Sequence, residues 1–567
     1  MNPISRIAIV VLLFSLAQAP TLNGQRISPL EAYRSLRTAD SIFESGEPAA
    51  AIPAYEQVVA NDSLHAAVWY RLGRSYEAAQ RWRDAATALE RAHALGYQDL
   101  WWIAQRIALH RARLGEPELA LDWIQTSLSL RHENRPGLAE DFPGLAGLPR
   151  FERLLGAVPD SLNRVSGWRH DLGYLVEEAR RLHAGPDRPA WSPRFEALAD
   201  SIHDQIPEME DGEVILALQR LVVLLEDGHS TTYPFLDNRL GLDFPSLPVV
   251  FYQFDEGLFV VAGEGEGESL IASRVTAIGG LDPDEVMRRI GPYVNQDNAI
   301  TPLWLGVRFY LPSTPYLAAV GATEDIDRAV LTVVTPGGEE RRVALRSGDH
   351  TFPRKLRHPA TATTAAPVWL QDVDTPFRIE HRPAIDALYL PFNQVRDAED
   401  GPTLAAFADS MRAELQRTGA SNLILDVRHN NGGNAGLLGP FLRALVWWEQ
   451  DRPDHRLWIL TGRNTFSAAQ IFIDRAERWT EAIFVGERSS SSPNFTGEET
   501  TVVLPWSGLR GSISSRYNQE SDPMDERAWI DVDLRVPLTA ADYFAGRDPV
   551  MEAVERAIGP DDWNRRD

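Results

Sequence analysis

Ser467 stands in TFSAAQIFI, between the apolar run RLWILTG and a stretch compatible with a helix. A serine there has two uses. Its oxygen can accept an orphan backbone N–H and cap the helix, or it can attack a carbonyl carbon. The position suits the second use, because an α/β sheet presents its ligands where strands end and helices begin. The positive end of the helix dipole also stabilises an alkoxide or oxyanion, and the N–H of Ala468 points the same way. A second anion-facing backbone follows the apolar run NLILDVR, in HNNGGN, where Gly432 and Gly433 allow close approach. Two such N–H groups from neighbouring loops make an oxyanion hole. The plainer use of these glycines is a tight strand-to-helix turn. The chemistry on offer is acyl transfer on a serine. Thiol chemistry is excluded, since the chain has no cysteine. The 13 histidines show no HExxH or comparable ligand spacing, so neither a metal nor an organic cofactor is expected.

These residues need a scaffold. From 377 to 557 strands alternate with helices: strand ALYLPFNQV, helix TLAAFADSMRAELQRTG, the buried-type strand NLILDVR, helix LLGPFLRALVWWEQ, strand RLWILTG, the helix after Ser467 and strand AIFVGE. That order predicts a βαβ core. Residues 245–350 are β-rich, with hairpins VVFYQFDEGLFVVAG and AVLTVVTPGGEERRVALRS around ASRVTAIGGLDPDEVMRRI. The order is similar to a PDZ module, which binds extended peptides along a sheet edge; a plain β-rich spacer is the alternative. Residues 166–240 read as helices. One of them, DGEVILALQRLVVLLEDG, is expected to stop at Gly228, immediately before His229. Residues 136–165, with PGLAEDFPGLAGLPRF, read as a linker.

Between 30 and 135 the sequence repeats itself. Ala51, Ala86 and Ala120 fall at matching points of SGEPAAAIPAYEQVV, QRWRDAATALERAHAL and LGEPELALDWIQTSL, 35 and 34 residues apart. A period near 34 resembles tetratricopeptide repeats. Three helix pairs would stack into a short solenoid that binds a protein partner or presents substrate; an unrelated helical bundle is the alternative. Residues 1–24 carry Arg6, an apolar run from Ile7 to Leu16 and the small-residue triplet Ala17-Gln18-Ala19. This is the layout of a secretory signal, with an uncleaved anchor as the alternative. Export to a periplasm or the exterior is expected, with no membrane span in the mature chain. At 567 residues the chain is expected to form three or four domains. A net charge of −24 argues against nucleic acid or anionic lipid as a partner.

Taken in order, EDGHS (226–230), LPFNQVRD (390–397), LILDVRHNNGGN (423–434), TFSAAQ (465–470), VGERSSSSPNFTGE (485–498) and DYFAGRDPV (542–550) resemble the tail-specific, or C-terminal processing, serine peptidases, which include the tricorn core protease. The resemblance spans roughly residues 166–557. It implies a crotonase-like ββα core carrying a PDZ-like insert, hence a multidomain α and α/β protein. It also implies a peptide or protein substrate. Some members use a Ser–Lys dyad, but no lysine follows Ser467, and the single lysine, Lys355, lies far upstream. The tricorn-like scheme remains. In it the resemblance makes Ser467 the nucleophile and His229 the base, with Asp525 or Glu526 orienting the imidazole and Ala468 with Gly432 or Gly433 holding the oxyanion. The chain departs from the family pattern at Gln470, where many members have Glu, and at the four serines 489–492, where many have a Gly-rich turn. Asp426 and Arg428 are expected to orient the glycine loop. Two rivals share the fold or its parts. One is an inactive binder of apolar ligands or peptides, as in the repeats of the interphotoreceptor retinoid-binding protein. The other is a scaffold that works through its helical repeats.

Overall fold

The computed structural model describes residues 28–97, 100–159, 161–185, 192–234, 239–241, 244–350, 355–359 and 364–559. The expected signal segment, 1–24, lies outside them. The chain divides into two compact units, Met1–Leu155 and Gly156–Asp567.

The first unit stacks three helix pairs: Pro29–Glu44 with Ile52–Asn61, Ala66–Ala78 with Trp82–Ala94, and Leu100–Arg113 with Pro117–Ser129. Ser28 and Glu31 start the first helix with a reciprocal capping box. Ala51, Ala86 and Ala120 are each fully buried, as small residues must be where helices cross closely. Residues 138–155, read as linker, fold instead into short helical turns. Their Leu138, Phe142, Leu145 and Phe151 are buried against Ala120, Leu121 and Ile124 of the third pair. A helical stack needs its open apolar end covered, and the Pro and Gly residues here punctuate that cover.

The second unit is built around a sheet of six strands. Its order is Leu534–Arg535, Ile483–Gly486, Arg456–Thr461, Asn422–Asp426, Ala387–Pro391 and Glu380–Arg382, parallel except for the last pair. Asn422–Asp426 and Ala387–Pro391 are buried at every position, which explains their unbroken apolar sequence. Helices Leu404–Thr418, Leu438–Asp451 and Ala468–Trp479 cover one face. Helix Pro549–Ile558 covers part of the other. The 245–350 region forms a separate antiparallel meander of five strands, Val249–Phe254 through Glu340–Arg346. Inside it, Pro302–Tyr310 is a π-helix.

A long hairpin, Asn494–Val503 with Arg510–Gln519, completes the unit. The short strand Thr231–Thr232 pairs with it, Thr231 opposite Ser512. Helices Arg164–Leu182, Pro193–Gln205 and Asp211–Val223 pack on the hairpin through Val502, Leu504, Leu509 and Ile513. The first of these helices begins inside the stretch read as linker. The pairing at Thr231 holds the segment bearing His229 against the core. No helix among the described residues is long and apolar enough to cross a membrane.

Candidate active site

Strand Arg456–Thr461 and helix Ala468–Trp479 are joined by a turn fixed at several points. Thr465 Oγ1 accepts from Gly462 N–H at 3.1 Å and donates to Val427 O at 2.9 Å. Phe466 N–H donates to Asn430 O at 3.1 Å, and Ser490 N–H to Thr465 O at 3.1 Å. These bonds hold Ser467 at φ 56°, ψ −125°, a conformation that L side chains rarely adopt. A strained strand-to-helix turn of this kind presents a serine hydroxyl at the top of a sheet. The Ser467 side chain caps nothing; only its carbonyl enters the helix, accepting from Ile471 N–H at 3.1 Å. A cap would have stabilised the helix at little conformational cost, so the strain is not explained by capping.

Gly432 packs directly on this serine. A Cβ at 432 would lie 2.7 Å from Ser467 Cβ and 2.9 Å from Ala468 N. A Cβ at Gly433 would lie 2.1 Å from Val395 O. Both positions have positive φ, 109° and 135°, so glycine is required twice over. The two glycines differ in what their N–H groups do. That of Gly432 donates to Asn430 Oδ1 at 3.0 Å. Those of Gly433 and Ala468 have no acceptor among the described residues.

His229 sits in a tightly held turn. The preceding helix ends at Val223, not at Gly228, and Glu226 takes the left-handed conformation at φ 58°. Gly228 serves another need: a Cβ there would lie 2.9 Å from the Phe466 ring and 3.0 Å from the Asp297 carboxyl. Asp227 Oδ1 accepts from the backbone N–H of His229 at 2.8 Å and of Ser230 at 2.6 Å, and from Ser514 Oγ at 2.6 Å. Its other oxygen faces His183 Nε2 at 3.1 Å. Burial works against the charge on Asp227, but the bonds from His183, Ser514 and Ser230 hold its carboxyl below the usual range.

The His229 ring stacks on Phe466 at 4.4 Å and on Phe495 at 5.6 Å. Phe466 is the residue before Ser467, so the imidazole lies beside the serine turn. Burial pushes the His229 pKa down to about 4, with the Asp227 charge opposing. Neither ring nitrogen has a side-chain hydrogen-bond partner, Ser467 included.

The structure does not bring Asp525 or Glu526 to this histidine. Asp525 is captured two residues on by Arg527, at 2.8 Å, and bonds Ser521 Oγ at 2.6 Å. The Arg527 bonds hold its carboxyl well below the usual range, burial opposing. Glu526 is exposed. The Ser489–Ser492 stretch turns inward as packing. Ser489, Ser490 and Ser491 are at most 1% exposed, and Ser491 Oγ donates to Asp297 at 2.7 Å. Gln470 donates to Asp474 at 2.6 Å within its own helix. Lys355 donates to Val373 O at 2.7 Å and Asn393 O at 3.1 Å and bonds no serine. Arg428 bridges Asp426 at 2.6 Å and Asp548 at 2.8 Å, all three nearly buried. That triad ties the glycine loop to DYFAGRDPV.

Four contributors escape the sequence reading: Phe466 and Phe495, which clasp the imidazole, Asn430, which holds Gly432, and Asp227, which builds the His229 turn. All four lie inside quoted motifs, EDGHS, LILDVRHNNGGN, TFSAAQ and VGERSSSSPNFTGE, but the motifs do not show which of their residues meet.

A tetratricopeptide-repeat family profile matches residues 43–105. No curated protein matches the chain by sequence. Among solved structures, mature CPAF is 14% identical over 70% of this chain and 96% of its own, with a TM-score of 0.50. A serine-to-alanine mutant of CPAF is 12% identical over 70% and 97%, with the same TM-score of 0.50. The photosystem II D1 C-terminal processing protease is 13% identical over 70% and 98%, at a TM-score of 0.36. At these identities the CPAF likeness is one of fold. The second unit shares its fold with mature CPAF, and the N-terminal unit carries tetratricopeptide repeats.

Proposed function

We propose that this chain is an exported serine endopeptidase of the tail-specific type, hydrolysing peptide bonds by acyl transfer. The observation that carries the reading is the strained Ser467 on which Gly432 is packed, with the unpaired N–H of Ala468 beside it. Ser467 Oγ attacks the peptide carbonyl carbon as the His229 imidazole takes its proton. The carbonyl oxygen becomes an oxyanion held by the N–H groups of Ala468 and Gly433. His229 then protonates the leaving amine, the C–N bond breaks and an acyl-enzyme remains. Water, deprotonated by the same imidazole, attacks the acyl carbon; the ester bond to Ser467 Oγ breaks, the imidazolium returns its proton to that oxygen and the acid is released. Phe466 and Phe495 set the plane of the ring, and the nearby Asp227 charge favours the imidazolium; Asp525 is engaged by Arg527, and Glu526 is exposed. The 245–350 sheet is read as the PDZ-like insert. The helical repeats would dock a partner or present substrate. The test is hydrolysis of an unstructured protein and of fluorogenic peptides by the mature chain. The rival, an inactive binder on the same fold, is favoured by one observation, the absence of a Ser467–His229 hydrogen bond. It predicts no turnover of either substrate.

The pH dependence follows from His229. A base must be neutral, and burial keeps this imidazole neutral until about pH 4 rather than 6.5. The acid limb of kcat/KM is therefore expected near pH 4, and a limb at 6.5 contradicts this environment. Stability has the matching sign. The unfolded histidine binds its proton below about 6.5 and the folded one only near 4. This contribution is complete above pH 6.5 and is lost as pH falls toward 4.

Gly432→Ala is a sharper probe of geometry than of fold. The added methyl lands on Ser467 Cβ and Ala468 N, so the serine turn must move. A displacement near 1 Å costs roughly 100-fold in rate. Loss of at least that much kcat is expected, and unchanged kcat in a folded variant would show that the loop does not abut the reacting atoms.

A further inference from the structure

A cavity adjoins the Ser467 turn. Asn464 forms part of its wall, and Trp304, on another wall, meets the Phe466 ring at 6.0 Å. Most of the lining is apolar, from Phe251 and Tyr252 of the meander and Leu356. Three polar groups in it have no satisfying partner. The Trp369 indole N–H and His429 Nε2 bond nothing, although these residues are only 5% and 4% exposed. Arg308, presented by the π-helix, makes no ion pair with any described carboxylate; among the described residues its guanidinium donates only to the Lys355 carbonyl, at 3.4 Å. The cavity's other guanidiniums are neutralised, Arg428 by Asp426 and Asp548, Arg463 by Glu487.

An unpaired buried indole donor, an unpaired imidazole nitrogen and an unpaired cation are costly to maintain. They mark a place that a ligand fills, and π-helical turns recur at such sites. Burial pushes His429 down to about 3; the Asp426 charge opposes this, and the Arg428 and Lys355 charges add to it, so the imidazole is neutral at neutral pH. Burial lowers Arg308 to about 10, so it stays charged at neutral pH.

We propose that this cavity is a selectivity pocket that takes a carboxylate of the peptide substrate, with Arg308 as its anchoring cation. An apolar stem ending in a carboxylate matches apolar walls around one free guanidinium. The group is either an acidic side chain or the chain-terminal carboxylate. The inference rests on the serine-peptidase reading for its link to cleavage, so the test is made on binding.

The full chain carrying Ser467→Ala is titrated with a peptide bearing Glu at each position in turn, its Gln counterparts, and both sets with free and amidated C-termini. The expected result is that one carboxylate raises affinity at least about tenfold. Loss of the advantage on Glu-to-Gln exchange assigns a side chain; loss on amidation assigns the chain end. Arg308→Gln abolishes the advantage and Arg308→Lys restores part of it. Should Arg308→Gln not fold, Leu356→Glu places a competing carboxylate at the wall and gives the same loss. No carboxylate advantage at any position, or one that survives in folded Arg308→Gln, overturns the proposal. Because the nucleophile is absent throughout, an Arg308-dependent preference stands even if the unmodified chain hydrolyses nothing. Hydrolysis with no such preference removes the pocket and leaves the peptidase.

Discussion

Replacing Ser467 by alanine is expected to lower kcat on unstructured protein and fluorogenic peptides by roughly 10⁴-fold or more while the chain stays folded. The substitution removes one oxygen from a half-buried residue that caps no helix, so there is no structural bond to lose. His229→Ala should cost a comparable factor, because the serine proton then has no acceptor. The two losses should not add. A base without a nucleophile contributes nothing, and groups that act as a unit are grossly non-additive. Kinetics of both single variants and the double variant, beside their circular dichroism, check this. Additive losses would mean that the two residues act on different steps.

The second large effect is on stability. Arg428→Met should destabilise the chain by about 3–5 kcal/mol. The guanidinium lies between Asp426 and Asp548, each within 3 Å, and over the Trp369 ring at 4.7 Å. Burial opposes the Asp426 charge, and Arg428 is what holds that carboxyl below the usual range. Methionine fills much of the volume but leaves two buried carboxylates unpaired. Adding Asp426→Asn and Asp548→Asn to the same chain should recover part of the loss, since neutral amides need no counter-ion. The midpoint of urea unfolding reads both steps. An unshifted midpoint in Arg428→Met would show the triad to be energetically idle.

The sheet was legible because its inner strands are buried on both faces. NLILDVR and RLWILTG can be little else, and their flanking helices carry plain stops such as Gly419, at φ 67°. The repeat was legible through three alanines because helix crossings tolerate only small residues. The glycine loop and Ser467 stood out because their backbone needs are local. Other features depend on where distant segments meet. Nothing near His229 announces that Phe466 and Phe495 will clasp its ring. Arg527 was plain in the sequence, but its grip on Asp525 depends on how one loop closes. Glu226, rather than the glycine two residues on, takes the left-handed turn, because Gly228 is needed where Phe466 and Asp297 press close. Residues 138–155 read as linker because Pro and Gly punctuate short helices as readily as free chain; only the buried Phe142 and Phe151 separate the two cases.

The most direct test of the central claim is covalent labelling of the full chain with a fluorophosphonate, followed by mass spectrometry of the peptide that contains Ser467. A phosphonyl adduct on Ser467, absent from Ser467→Ala and strongly slowed in His229→Ala, is the predicted result. It requires the activated hydroxyl and the oxyanion donors together and needs no knowledge of the substrate. No adduct on Ser467 in the folded chain, or one formed equally fast without His229, would contradict the account.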